Sequence, residues 1–423
     1  MSVLGAAPLA LAGSPPLVAL GCLPKRGAPT AFVAAAGCRI EAADGRRVRD
    51  LHNGAGAVLL GHAHPVVTEA ALRAVRAGLA GVASAQEAAV AERLLGLLPP
   101  GQRVRFLKTG SEAASLAVRL ARAVTGRPRV IACGYHGWHD WAVSGRPGGE
   151  GVPPAVAALT RRVAHGDAEE LAAALAEAPG GVAAIVAEPL VFEPAPGSWP
   201  AALRDAADRH GAVLVFDETA TFLRIGRGGV QGACGVRPDF TLIGKGQANG
   251  FPLAALTGEE RLMSLLDERV ATLSTTAQEG VALAAAGAVL DVLAAENVPA
   301  ALARAGESLR IGLARAAAAA GLNGTVSLAG HPTRMALVAT GEARAPPRLL
   351  RALFVQALLD RSLYAPAGFV PSLAFDDDAS LRESGDALTA ACRDVAAALE
   401  LPHPGTEQGP ARPRQRLPDD QSA

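Results

Sequence analysis

The chain has 423 residues, half of them apolar, with 40 basic and 40 acidic side chains and a formal net charge of zero. That length can bury a large core and favours two packed regions over one. With no basic stripe and no block of like charge, the composition argues against a nucleic-acid partner and against a charged interaction tail. The cysteines, Cys22, Cys38, Cys133, Cys234 and Cys392, are widely spaced, odd in number and without a CxxC. They fit neither a zinc site nor a disulfide framework, and they point to a reducing cytosol.

The first 24 residues carry no charged side chain, and Pro8, Pro15, Pro16 and Pro24 interrupt them. No basic residue precedes the apolar part, so a soluble arm is expected rather than a secretory signal or a membrane span. The segment around Gly37–Asn53 is expected to join the C-terminal region in space. His62 and His64, in Leu60-Gly61-His62-Ala63-His64-Pro65, read as loop residues rather than metal ligands. From about residue 100 to 260, short aliphatic runs alternate with helical patterns. Arg103–Leu107 reads as a strand, followed by Lys108-Thr109-Gly110-Ser111 and a helix. Ala113, Leu116, Ala117, Leu120 and Ala121 share one face of that helix. Ser111 is placed to cap it and Glu112 to favour its first turn.

Further buried strands are predicted at Val130–Ala132, Val182–Val186, Val213–Phe216 and Thr241–Gly244. The alternation implies an α/β domain with a mostly parallel sheet covered by helices on both faces. Helices follow at Gly280–Ala295 and Val298–Ala319, then a strand at Arg334–Val338 and helices at Pro347–Asp360 and Ala379–Leu399. This last part reads as a smaller α+β domain. The expected divisions are an N-terminal segment 1–54 belonging to the small domain, a large domain 55–295, a small domain 296–400 and a disordered tail 401–423, poor in apolar residues.

Four places could carry chemistry. Val213–Phe216 ends in Asp217-Glu218, and functional groups of open α/β sheets gather at strand carboxyl ends. Those acids could face a cationic ligand or simply cap the next helix. Thr241–Gly244 runs into Lys245, flanked by Gly244 and Gly246. Beside an apolar strand end the lysine amine can be depressed in pKa and serve as a Schiff-base former or general base; a turn lysine in solvent is the plainer reading. Thr109-Gly110-Ser111-Glu112 opens a helix and could bind an anion or be an ordinary cap. Tyr135-His136-Gly137-Trp138-His139-Asp140 places an aromatic ring where it could stack on a flat cofactor. His136, His139 and Asp140 find no convincing further ligand elsewhere, so no metal is expected. Together the four ask for one ligand with a phosphate, a flat ring, a ring nitrogen and a carbonyl. Pyridoxal 5′-phosphate has all of them.

From about Leu23 to Leu399 the chain resembles the class III aminotransferases and is especially similar to the glutamate-1-semialdehyde aminomutase-like branch. The resemblance implies the fold type I architecture, an α/β large domain with a mostly parallel seven-stranded sheet between helices plus a smaller α+β domain. The matching features, in family order, are Leu60–Pro65, Gly110-Ser111-Glu112-Ala113, Tyr135-His136-Gly137, Glu188-Pro189, Asp217-Glu218 and Gly244-Lys245. The resemblance implies that Lys245 is the Schiff-base lysine and that Asp217 pairs with the pyridine nitrogen. It makes Gly110 and Ser111 the phosphate turn and Tyr135 the stacking ring. His136 and Thr219 join this cofactor set, and Glu188 and Trp138 fall on the substrate side. Thr275 resembles the threonine that reaches the phosphate of the neighbouring subunit, which implies a homodimer.

Several positions depart from the family pattern. Thr219 stands where a valine is usual, Phe222 replaces a glycine, and Thr276–Gly280 replaces a serine-glycine-asparagine-proline segment. These changes argue against a tetrapyrrole-pathway aminomutase. Trp138–Trp141 and Glu193–Gly197 look more like branch members acting on sugars or secondary metabolites, including antibiotics. The resemblance therefore implies a cytoplasmic transaminase with an amino-acid donor and an aldehyde or ketone acceptor. A 2,1-aminomutase or a pyridoxal-phosphate epimerase using the same lysine is the alternative.

Overall fold

The computed structural model describes residues 31–191, 197–340 and 345–400. The expected N-terminal arm, the tail after Pro402 and the stretch Glu193–Pro196 lie outside the described residues.

Apolar runs too short for helices form the central sheet. Its strands lie in the order Gln102–Leu107, Ala254–Glu259, Phe240–Ile243, Val213–Asp217, Val182–Ala187, Arg129–Cys133 and Thr160–Arg162. Ala254–Glu259 runs antiparallel to both neighbours and the other pairings are parallel, so six strands point one way. The sheet is mostly parallel, as the alternation implies, and seven-stranded, as the family resemblance implies. Ala254–Glu259 and Thr160–Arg162 were not expected from sequence. The first is built largely of small residues with little β-propensity, and the second is a short polar edge.

Alternate side chains of these strands feed opposite faces, as strand geometry requires. Val130, Val186, Val215 and Leu242 pack with Leu116, Leu120 and Ala121 of the helix Gly110–Thr125. Ile131, Ile185, Leu214 and Phe216 pack with Leu171, Trp199 and Leu203 of the helices Ala168–Ala176 and Trp199–His210. Both faces are dry, which explains the continuous apolar runs. The cap of helix Gly110–Thr125 differs from the expectation for Ser111. Thr109 is the N-cap, accepting the Glu112 N–H at 3.2 Å, and Glu112 returns a bond from the Thr109 N–H at 2.9 Å. This capping box puts Ser111 inside the first turn, freeing its hydroxyl from capping.

The N-terminal segment joins the C-terminal region as expected. Phe32–Ala36, Arg39–Ala42 and Arg47–Asp50 form a sheet whose last strand pairs in parallel with Leu363–Tyr364. A third sheet contains Val326–His331, Arg334–Ala339 and Gly368–Phe369. Helices Val298–Ala319, Pro347–Asp360 and Asp378–Glu400 frame a separate core centred on Leu309, Phe354, Phe369 and Leu388. Among the described residues no single helix is long and apolar enough to cross a membrane.

Candidate active site

The parallel strands end level with one another. Cys133 lies opposite Ala187, Ala187 opposite Phe216, and Asp217 opposite Leu242. The residues that follow, Gly134–Gly137, Glu188, Glu218 and Gly244-Lys245, therefore share one edge with Asp217. Strand Gln102–Leu107 points the same way and delivers Lys108–Ser111 to that edge. This is where open α/β sheets place ligands.

Asp217 is buried at this edge. Its Oδ2 accepts from His136 Nδ1 at 2.9 Å, and its Oδ1 accepts from the Thr219 hydroxyl at 2.7 Å and the Thr219 N–H at 3.2 Å. Burial pushes the carboxyl up, but the bonds from His136 and Thr219 outweigh it and hold Asp217 below its ordinary value. A carboxylate accepts only, so Nδ1 of His136 carries the proton in this pair. The imidazole lies flat against Trp141, with centroids 6.2 Å apart and planes within 6°. Its Nε2 is buried and without a hydrogen-bond partner.

Glu218, the next residue, does something else. It accepts from the N–H groups of Val230 at 2.6 Å and Gln231 at 3.1 Å and from the Thr221 hydroxyl at 2.9 Å. Of the two acids, Glu218 is the cap and Asp217 faces the site.

Lys245 follows the strand in a left-handed conformation, φ 46°. Its amine makes no ion pair or hydrogen bond among the described residues. Burial pushes it below its ordinary 10.5, Arg334 pushes the same way, and Asp217 and Glu188 oppose them. Thr219 packs between the neighbouring turns. A Cβ on Gly110 would sit 3.1 Å from its methyl, and one on Gly244 would sit 3.4 Å from it. The phosphate-turn candidates, Thr219 and the lysine turn are thus adjacent. Ser111 meets Gly137, where a Cβ would fall 2.1 Å from the Ser111 hydroxyl; φ 91° also makes glycine the residue suited there.

Tyr135 donates its N–H to Glu188 at 2.9 Å, and Arg146 lies 5.3 Å over its ring. The ring is 55% exposed and Trp138 is 70% exposed. Thr275 is exposed on the segment 271–279, whose Glu279 pairs with Lys108 at 2.8 Å. Within one chain Thr275 is not brought onto Gly110 or Ser111 by any described contact.

Three residues were missed from sequence. Arg334 binds Glu188 Oε1 at 3.1 Å and the Leu190 carbonyl at 2.9 Å. Arg224 is 1% exposed and donates to the carbonyls of Pro371 at 2.6 Å, Gly56 at 3.2 Å and Thr333 at 3.4 Å. Burial pulls its guanidinium down to about 9, and Arg334 adds to this. His52 lies within electrostatic reach of Lys245. No local pattern marks Arg334 or His52, and Arg224 follows two residues after the departure at Phe222.

A planar ring with an aldehyde, a basic nitrogen and a phosphate suits this edge. The amine of Lys245 is unpaired, Asp217 is held ionised, and the first turn of a capped helix offers free N–H groups beside a hydroxyl. The fold and this edge define a pyridoxal-phosphate enzyme of fold type I.

Comparison with known proteins gives the narrower class. The family model Aminotransferase class-III matches residues 24–331, and the chain belongs to that family. It is 35% identical over 396 residues to a glutamate-1-semialdehyde 2,1-aminomutase of Roseiflexus castenholzii, covering 87% of this chain and 91% of that protein. It is 37% identical over 298 residues to a 2'-deamino-2'-hydroxyneamine transaminase of Streptomyces kanamyceticus, covering 70% of this chain and 74% of that one. A solved transaminase with pyridoxal phosphate bound superposes with TM-score 0.81 at 26% identity, covering 89% of this chain and 93% of that one.

Proposed function

We propose that the chain is an aminotransferase moving an amino group from an amino-acid donor to an aldehyde or ketone acceptor of the sugar or aminoglycoside class. The observation that carries this reading is the unpaired, half-buried Lys245 amine within electrostatic reach of an ionised Asp217. Pyridoxal phosphate, when bound, supplies the carbonyl that condenses with an amine and an electron sink for the carbanion at the reacting carbon.

The chain's own groups do the rest. Lys245 acts first as nucleophile and then as the base and acid that carries a proton to and from the substrate carbon. Arginine cannot replace it, because a guanidinium does not give up its proton. Asp217 holds the ring nitrogen protonated through a charge-assisted hydrogen bond. His136 and Thr219 keep that carboxylate ionised. Gly110 and Ser111 hold the phosphate and Tyr135 covers the ring. Thr275 from a second copy of the chain completes the phosphate site, which makes the working unit a homodimer. Glu188 and Trp138 border the acceptor. Free Cys38, Cys133, Cys234 and Cys392 support a cytoplasmic setting.

The departures at Thr219, Phe222 and Thr276–Gly280, with the similarity to the Streptomyces transaminase, favour a sugar-type acceptor. Similarity to an aminomutase sustains the second reading, in which the amino group moves within one molecule. Incubation with glutamate or alanine, acceptor omitted, separates them. An aminotransferase bleaches the visible cofactor band and releases oxo acid, about one per subunit. No oxo acid from any common amino acid, with isomerisation of an amino aldehyde instead, gives the aminomutase.

A further inference from the structure

We infer that His52 is a specificity residue that hydrogen-bonds a hydroxyl group of the acceptor beside Lys245. This rests on the aminotransferase reading and sharpens its substrate class.

The backbone around His52 is tightly determined. Asp50 spends both oxygens there, Oδ1 on the N–H groups of His52 and Asn53 at 2.8 Å each and Oδ2 on His62 Nε2 at 2.9 Å. The Asn53 amide donates to the Asp50 and Val370 carbonyls, each at 2.8 Å. Asn53, Gly54, Ala55 and Gly56 then all adopt left-handed backbone, with φ of 48°, 59°, 56° and 86°. For Asn53 and Ala55 such conformations are disfavoured and persist only where the surroundings impose them. Arg224 imposes one end by binding the Gly56 carbonyl. The chain beyond docks on the lysine turn: Asn249 Oδ1 accepts from Leu59 at 2.9 Å and Leu60 at 2.8 Å, and Leu59 packs 3.3 Å from where a Gly246 Cβ would be.

His52 is therefore held by its backbone within electrostatic reach of Lys245 while its ring nitrogens remain unengaged. The imidazole is half-buried and meets the Tyr364 ring edge-on at 6.1 Å. Its nitrogens have no hydrogen-bond partner among the described residues. Burial pushes the imidazole below its ordinary 6.5; Asp50 opposes this and the charge of Lys245 adds to it. The ring is thus neutral near pH 7. A neutral imidazole donates from one nitrogen and accepts at the other. A hydroxyl is its match, because it too donates and accepts. A carboxylate or an ammonium calls for an opposite charge, which His52 does not carry.

Two aldehydes test this, a 6-aldehydo pyranoside and hexanal, each given to the holoenzyme with saturating amino donor. The wild type is expected to prefer the pyranoside in kcat/KM. His52→Phe, which keeps the contact with Tyr364, is expected to lose about fivefold to tenfold of that preference through KM, the size of one lost hydrogen bond. Bleaching of the cofactor band by donor alone should keep its rate, and His52→Gln should recover part of the preference. If the wild type prefers the pyranoside and His52→Phe keeps that preference, the assignment to His52 is wrong while the acceptor reading stands. A wild type that takes both aldehydes equally overturns the acceptor reading, and with it any hydroxyl for His52 to bind. Slowing of the donor step by His52→Phe also overturns the inference, since it would make His52 part of the shared chemistry.

Discussion

Two regions meet at Lys245 and are built on different principles. The sheet edge presents Asp217, Glu188 and Lys245 from strand ends in register, and its groups satisfy one another: His136 and Thr219 on Asp217, Tyr135 on Glu188. The opposing wall comes from residues 52–56, 224, 333–334 and 370–371, distant in sequence. It is held by carbonyl contacts to a buried arginine and by left-handed backbone. The edge carries the amine, the carboxylate and the capped helix start that the proposed chemistry would use. On the wall the His52 imidazole has no hydrogen-bond partner among the described residues, so selectivity is expected there.

The largest effect falls on the edge. Lys245→Ala should cost about a thousandfold or more in turnover and abolish the lysine-bound cofactor band. Retained activity with the band intact would remove the edge from the chemistry altogether. Asp217→Asn should lose about a hundredfold, since it removes a preorganised charge, yet keep lysine condensation. Single-turnover rates and the visible spectrum separate those two outcomes.

Arg334 joins the regions. Arg334→Ala leaves Glu188 buried without its partner and should cost about 3 kcal/mol of stability, read from urea midpoints. The variant should also shift a pH profile. The Lys245 amine loses its proton below its ordinary 10.5, so condensation with an aldehyde rises with pH and levels off early. Arg334 contributes to that depression. Its removal should move the rising limb to higher pH; an unmoved limb would separate the wall from the chemistry.

The smallest effect concerns the cap beside Asp217. Burial pushes Glu218 up to about 7 from 4.5. Between those values the folded state binds more protons than the unfolded state, so this group's contribution to stability falls as pH rises from about 4.5 to 7. Glu218→Gln should flatten that part of the stability profile with little change in turnover. A large loss of turnover would give Glu218 a share in the site.

Much of the edge was legible. Alternating apolar runs located five strands of the sheet within a residue or two, and polar or glycine residues at their ends marked Asp217, Lys245 and the Thr109–Glu112 turn. Two weak strands escaped, one of small residues and one short and polar. The cap of Gly110–Thr125 was misplaced by two residues, because Thr109 and Ser111 are both good caps and only the reciprocal bond to Glu112 decides between them.

What the residues determined by themselves was local and periodic: which runs bury both faces, where they stop, and which side chains follow. That was enough to order Lys245, Asp217 and the Thr109–Glu112 turn along one edge. Only the tertiary structure decided how those groups are tuned and what opposes them. The His136 bond to Asp217, the Arg334 pair with Glu188 and the approach of His52 to Lys245 join residues 81, 146 and 193 positions apart. No local period encodes such contacts. They arise from chain closure around a core, where burial lowers the Lys245 amine and the bonds from His136 and Thr219 hold Asp217 ionised.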